Sequence, residues 1–105
     1  MFEINGEAWG VVLVSPHHPA LLRENGTYTL GTCDDRAKEI YISDILDDFM
    51  LKKVLCHEIV HAAMFSYNVS LTLEQEELLA DLVATYGAEI IRITNQIFRK
   101  IKKRA

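Results

Sequence analysis

The chain has 105 residues, half of them hydrophobic and a quarter charged, with a formal net charge of −4. That length supports one compact core, hence a single domain over residues 1–105, and the composition is ordinary for a globular protein, which excludes disordered and fibrous classes. The longest apolar run, Ala8 to Val14, is far too short to span a bilayer, and the N-terminus lacks the regions of a secretory signal, so the expected location is the cytoplasm, with no membrane partner.

In chain order, "GEAWGVVLVS" (Gly6 to Ser15) is compact and β-branched and predicts a buried strand that Pro16 ends. "PHHPALLREN" predicts an irregular link or a short helical turn. Asn25-Gly26 marks a turn, and "TYTLGTCD" (Thr27 to Asp34) predicts a second strand. After "DDRAK", the alternating "EIYIS" (Glu39 to Ser43) predicts a third, pairing with the second as a hairpin. From Asp44 the period changes to that of a helix running to about Tyr67, with Ser43 or Asp44 as its cap. Thr72, with Gln75 three residues on, forms a capping box that opens a second helix from Leu73 towards the C-terminus, with a bend expected at Gly87. The expected fold is therefore α+β: a small N-terminal sheet of about three strands followed by two long helices.

Two cysteines, Cys33 and Cys56, make no disulfide framework. Cys56 adjoins a histidine, yet on a helix neighbouring side chains point about 100° apart, so it reads as a small core residue. Charge is unevenly spread. Residues 1–91 hold all fifteen acids and five Lys/Arg, while the last fourteen hold six cations and no acid. A solvated basic helix end suits the negative pole of a helix; contact with nucleic acid is the sharper but less favoured alternative.

The chemistry lies in "KVLCHEIVHAAMF". His57, Glu58 and His61 fit H-E-x-x-H inside an otherwise apolar helix. Residues i and i+4 share a helix face, so both imidazoles can address one ion, and Glu58, a quarter-turn round, is placed as a general base for an attacking water. Chance alone would give this pattern about once per hundred chains of this composition, so the spacing is a hypothesis that needs a structural context. In "LEQEELLADLVATYG", Glu77 and Asp81 are four apart and share a face with Ala84 and Ala88. Small residues there let the second helix approach the first, with Glu77 as third ligand, in preference to Glu76, and Asp81 accepting the spare N–H of a ligand histidine. Glu74 and Glu76 read as an acidic first turn favoured by the helix dipole. Tyr28, Tyr67, Tyr86, His17 and His18 are candidates for stabilising an oxyanion. If "EIYIS" is the sheet edge beside the active-site helix, its free backbone groups can hold an extended peptide by strand addition.

"HEIVHA" followed by "EELLAD" resembles the gluzincin pattern. The short interval and small size are most similar to the bacterial and phage ImmA/IrrE-type metallopeptidases, from about Gly26 to Ala88. The resemblance implies a minimal zincin-like fold and one zinc per chain held by His57, His61 and Glu77. It implies Glu58 as the catalytic base, Asp81 as the residue orienting a ligand, and a regulatory protein or peptide as substrate. Within these 105 residues there is no accompanying DNA-binding segment, and a basic helix stands where the family has an extended C-terminal region. The alternative from another class is a non-catalytic zincin-like protein-interaction module of bacterial or prophage origin. Nothing in the sequence speaks to oligomeric state.

Overall fold

The computed structural model describes residues 1–104. Four short strands come first: β1 (Phe2–Ile4), β2 (Glu7–Val14), β3 (Gly31–Asp34) and β4 (Glu39–Ser43). Two helices follow, α1 (Asp48–Ser66) and α2 (Leu73–Arg104). The architecture is α+β, a small mixed sheet followed by two helices, in the expected element order.

The sheet has four strands, one more than the sequence reading supplies, in the order β1-β2-β4-β3. β1 and β2 form a tight antiparallel hairpin with Phe2 opposite Trp9. Its two-residue loop, Asn5-Gly6, holds both residues at positive φ, 50° and 78°, the conformation that matches the twist of the flanking strands and that Asn-Gly adopts readily. β2 and β4 pair in parallel, and β3 and β4 antiparallel as the expected hairpin. β4 is therefore interior, and β3 is the outer strand. The condition under which Glu39–Ser43 would hold a peptide, an edge position, is therefore not met.

The second strand begins later than Thr27. The Asn25-Gly26 turn folds residues 27–29 back on the preceding segment, with Thr29 N–H donating to Leu21 C=O at 2.8 Å and Leu22 bridging Tyr28. Ladder pairing with β4 begins at Gly31, with Ser43 N–H donating to Leu30 C=O at 2.9 Å just ahead of it. The start of α1 is displaced too. Ser43 ends β4 and Asp44 N–H donates to Val14 C=O at 2.8 Å, so both are held by the sheet. Asp47 caps the helix instead, its side chain accepting from Met50 N–H at 2.8 Å. The capping box of α2 is present as read, both of its hydrogen bonds measuring 3.1 Å, and α2 continues unbroken through Gly87.

Trp9, Ile40, Ile42 and Ala62 are fully buried between the sheet and α1, with Phe2, Leu51, Val54 and Ile59 packed around them. Trp9 Nε1–H donates to Ser66 Oγ at 2.9 Å, and Asn5 Nδ2–H donates to Ser66 C=O at 2.9 Å. The first hairpin thus grips the last turn of α1, and the indole N–H is satisfied inside the core. Among the described residues, no helix is long and apolar enough to cross a membrane.

At the other side of the sheet, β3 and α1 meet at Gly31. A Cβ there would lie 2.7 Å from Val54 Cγ1 and 3.2 Å from Glu58 Cγ, so the absence of a side chain sets how near α1 comes to the outer strand. Gly31→Ala is expected to destabilise the fold by about 1–3 kcal/mol through overpacking, measured by urea unfolding. A variant as stable as wild type would show that the contact has slack.

Candidate metal centre

α1 and α2 run antiparallel and place five polar side chains between them, His57, His61, Glu76, Glu77 and Asp81. His57 and His61, one turn apart on α1, direct their Nε2 atoms to a common point and lie 3.2 Å from each other there. Glu77 of α2 completes the group: Oε2 is 3.2 Å from His57 Nε2 and Oε1 is 3.0 Å from His61 Nε2. One donor atom from each of the three residues lies within 4.8 Å of the others.

The outer nitrogens are equally well defined. His57 Nδ1 is 2.9 Å from Asp81 Oδ1 and His61 Nδ1 is 2.7 Å from Glu76 Oε1. An ionised carboxylate only accepts hydrogen bonds, so each Nδ1 carries a ring proton, which in the neutral form of the ring leaves a lone pair at Nε2. In that form two imidazole lone pairs and a carboxylate converge on one point. Three acceptors facing one another repel unless a cation lies between, so His57, His61 and Glu77 can hold a metal ion. The carboxylates behind the rings fix tautomer and orientation, as outer partners of metal-bound histidines do.

His57, His61, Glu77 and Asp81 are thus brought together as the spacing anticipates. Glu76 differs from its expected role. Its side chain is 18% exposed, against 70% for Asp81, and it is the hydrogen-bond acceptor for His61 rather than a solvated acid. The pairing order, Glu76 with His61 and Asp81 with His57, is what an antiparallel helix pair requires. Glu74, on the same first turn, is exposed and joins none of these contacts.

Glu58 is buried, and loss of hydration raises its carboxyl above the usual range, the nearby His57 and His61 opposing the shift. It faces a groove formed by two adjoining clefts of about 320 and 390 Å³. Both clefts are lined by Gly31, His57, Glu58 and Glu77 and by Arg23. Of the oxyanion candidates, Tyr28 lines the groove beside His57; Tyr67, Tyr86, His17 and His18 line neither cleft. His18 Nδ1 instead accepts from Ala20 N–H at 3.0 Å, and the His17 ring packs edge-on against Tyr28. Arg23, donating to Thr29 Oγ1 at 3.0 Å, is the groove's one arginine and escaped the sequence reading, because a lone cation in a loop carries no spacing signal.

Neither cysteine joins the ligand group. Burial, with the Glu58 carboxylate next, pushes the Cys33 thiol up to about 12, so it stays protonated and a poor ligand. Cys56 is half-buried between the helices with Val83 and Ala88, in keeping with its reading as a packing residue.

These contacts rank the carboxylates. Glu77→Ala removes a ligand and is expected to abolish tight binding of a divalent ion. Glu76→Ala and Asp81→Ala are each expected to weaken it by about 10–100-fold, with Glu76→Ala the worse because its hydrogen bond is shielded from water. Glu74→Ala should leave affinity unchanged. Titration against a chromophoric chelator measures all four, and a Glu77→Ala variant that binds as well as wild type would remove α2 from the centre. Comparison with protein-family models, with curated proteins and with solved structures finds no match, so the reading of this centre rests on its own residues.

Proposed function

We propose that the protein is a zinc-dependent metallopeptidase of the gluzincin type, resembling the ImmA/IrrE group. The observation that carries this reading is the convergence of three donor atoms, His57 Nε2, His61 Nε2 and a Glu77 oxygen, beside a buried carboxylate, Glu58, that stands outside the ligand group. A purely structural site has no need of that fourth group. Two nitrogens and one oxygen suit zinc, which in catalytic sites takes three protein ligands and leaves a position open. When bound, zinc supplies Lewis-acid polarisation of a carbonyl and lowers the pKa of water towards 7.

The chain's own residues supply the rest. Glu58 accepts the proton of the attacking water and passes it to the departing amine, a task its raised pKa suits, since a general base works best with a pKa near the working pH. Arg23, Tyr28 and Lys53 line the groove as side-chain donors for the carbonyl oxygen as charge develops on it. The outer side of β3, with Gly31, Thr32 and Cys33 along the groove, offers unpaired backbone groups to a peptide in extended form. The open groove favours a flexible segment of a regulatory protein over a folded surface.

The purified protein is expected to hold about one zinc per chain by elemental analysis, the stoichiometry of a single three-ligand site. Loaded with zinc and given a tryptic peptide library, wild type should produce new termini, read by mass spectrometry. Glu58→Gln should keep its zinc and lose at least about a hundredfold in cleavage rate, since the amide cannot take the water proton. Equal cleavage by both proteins, or none by zinc-loaded wild type, would refute the peptidase reading and leave a non-catalytic metal-binding module.

A further inference from the structure

α2 is tied to the body by few contacts. It packs on α1, and none of its residues belongs to the core cluster or packs against it. Between Leu73 and Lys103 the residues that are not exposed are Glu76, Ala80, Val83, Ala84 and Gly87. Apart from Glu76 these are alanine, valine and glycine, so docking takes little apolar area out of water. Among the described residues, every hydrogen bond or ion pair that α2 makes to another helix or strand ends on His57 or His61. The connection between the helices is loose as well. Asn68, just past α1, takes a left-handed φ of 54°, and residues 67–75 are all exposed. Ser70 and Leu71 enter none of the hydrogen bonds that close α1 or cap α2.

The polar links pull in opposite senses. Glu76 and Asp81 accept from the Nδ1 side of the rings and draw α2 in, although Asp81 does so while 70% exposed to water. Glu77 faces both Nε2 atoms at 3.0 and 3.2 Å, an acceptor against acceptors whenever the rings are neutral. Ligation of one divalent ion by these three groups turns that repulsion into the strongest tie between the helices. We propose that α2 is a metal-operated latch: it docks on α1 when Glu77 completes the ligand set, and without the ion it turns out on residues 69–72 while the sheet and α1 stay folded. The core lies between the sheet and α1 and does not need α2. Leu73, Glu76, Glu77, Asp81 and Ala84 line the two clefts, so the released helix takes one wall of the groove with it. Ion supply then decides whether the groove exists at all. The proposal rests on the metal centre and is independent of whether the protein cleaves peptides.

Amide hydrogen exchange of the full chain, read by mass spectrometry, tests it. Free zinc is set by a chelator at about pH 8, above the usual imidazole range. A helix without tertiary support is marginal in water, so the amides of a released α2 exchange fast. If only the docked form takes the ion, exchange over residues 76–87 slows in proportion to free zinc, by about 100-fold at roughly 100 times the apparent dissociation constant. α1, β2 and β4 should keep their protection with or without zinc, and excess chelator should restore fast exchange in α2. Glu77→Ala, which removes a ligand at a half-exposed position, should show no slowing at the zinc concentration that protects wild type. A chromophoric chelator reports zinc binding separately in the same samples. No binding by wild type refutes the centre and the latch together. Binding with α2 equally protected in both forms, or with the sheet and α1 losing protection alongside α2, overturns the latch and leaves the centre standing.

Discussion

The Nδ1 hydrogen bonds of His57 to Asp81 and of His61 to Glu76 are what the rest of the centre depends on. By holding a ring proton on the outer side, they turn both Nε2 atoms inward towards a carboxylate, bare lone pairs whenever the rings are neutral. An unpaired acceptor in a partly buried site costs roughly 1–3 kcal/mol, and here three converge. Only a cation or an added proton relieves them. A metal ion does so with all three groups at once, and because such a site does not exist in the unfolded chain, the free energy of binding is also free energy of folding.

That arrangement requires α1 and α2 to be close and correctly rotated, and both conditions trace to small residues and caps. Ala80 is fully buried on the face of α2 that carries Glu77, and Ala84 and Ala88 continue the face, so nothing bulky separates the helices. The Thr72–Gln75 capping box fixes where α2 begins and hence its phase, which decides that residues 76, 77 and 81 face the histidines. On α1, the grip of Asn5 and Trp9 on Ser66 holds the last turn against the sheet, while Gly31 allows the middle of the helix to rest on β3. Rotation of α1 is thereby set at two points on either side of His61, and Glu58 is turned towards the outer strand instead of the second helix.

How much of this was legible follows from the range of each interaction. His57, His61, Glu77 and Asp81 were readable because i,i+4 spacing is local geometry that survives any tertiary context. Glu76 was misread because a single ligand face was assumed for α2. The two histidines sit a turn apart and each needs its own acceptor, which widens the useful face by the 100° between neighbouring residues. β1 was legible and went unread: Asn5-Gly6 between Phe2–Ile4 and Glu7–Val14 is the strongest short-range hairpin signal, and assigning Gly6 to a strand concealed it. The interior place of β4 was not legible, because it rests on parallel pairing with β2 across an intervening strand, a long-range choice that no local pattern encodes. Caps competed likewise: Ser43, Asp44 and Asp47 are all competent, and the sheet's claim on the first two decided the matter.

α2 illustrates how a site constrains the helix that carries it. A helix joining a small domain ordinarily turns its apolar stripe to the core. Here the inward face must be carboxylates, to serve the histidines, and alanines, to come near them, so the large hydrophobic side chains are displaced to the outside. The core is built between the sheet and α1 without them, from Trp9, Ile40, Ile42 and Ala62. α2 is therefore held to the body by close small-residue packing and by the polar groups of the centre, with little burial of large side chains to fall back on. The same displacement leaves Tyr86, Ile90 and Ile97 in contact with water, at a cost of roughly 25 cal/mol for each Å² of apolar surface left exposed. Occupation of the inner face by an ion therefore bears directly on whether α2 stays docked.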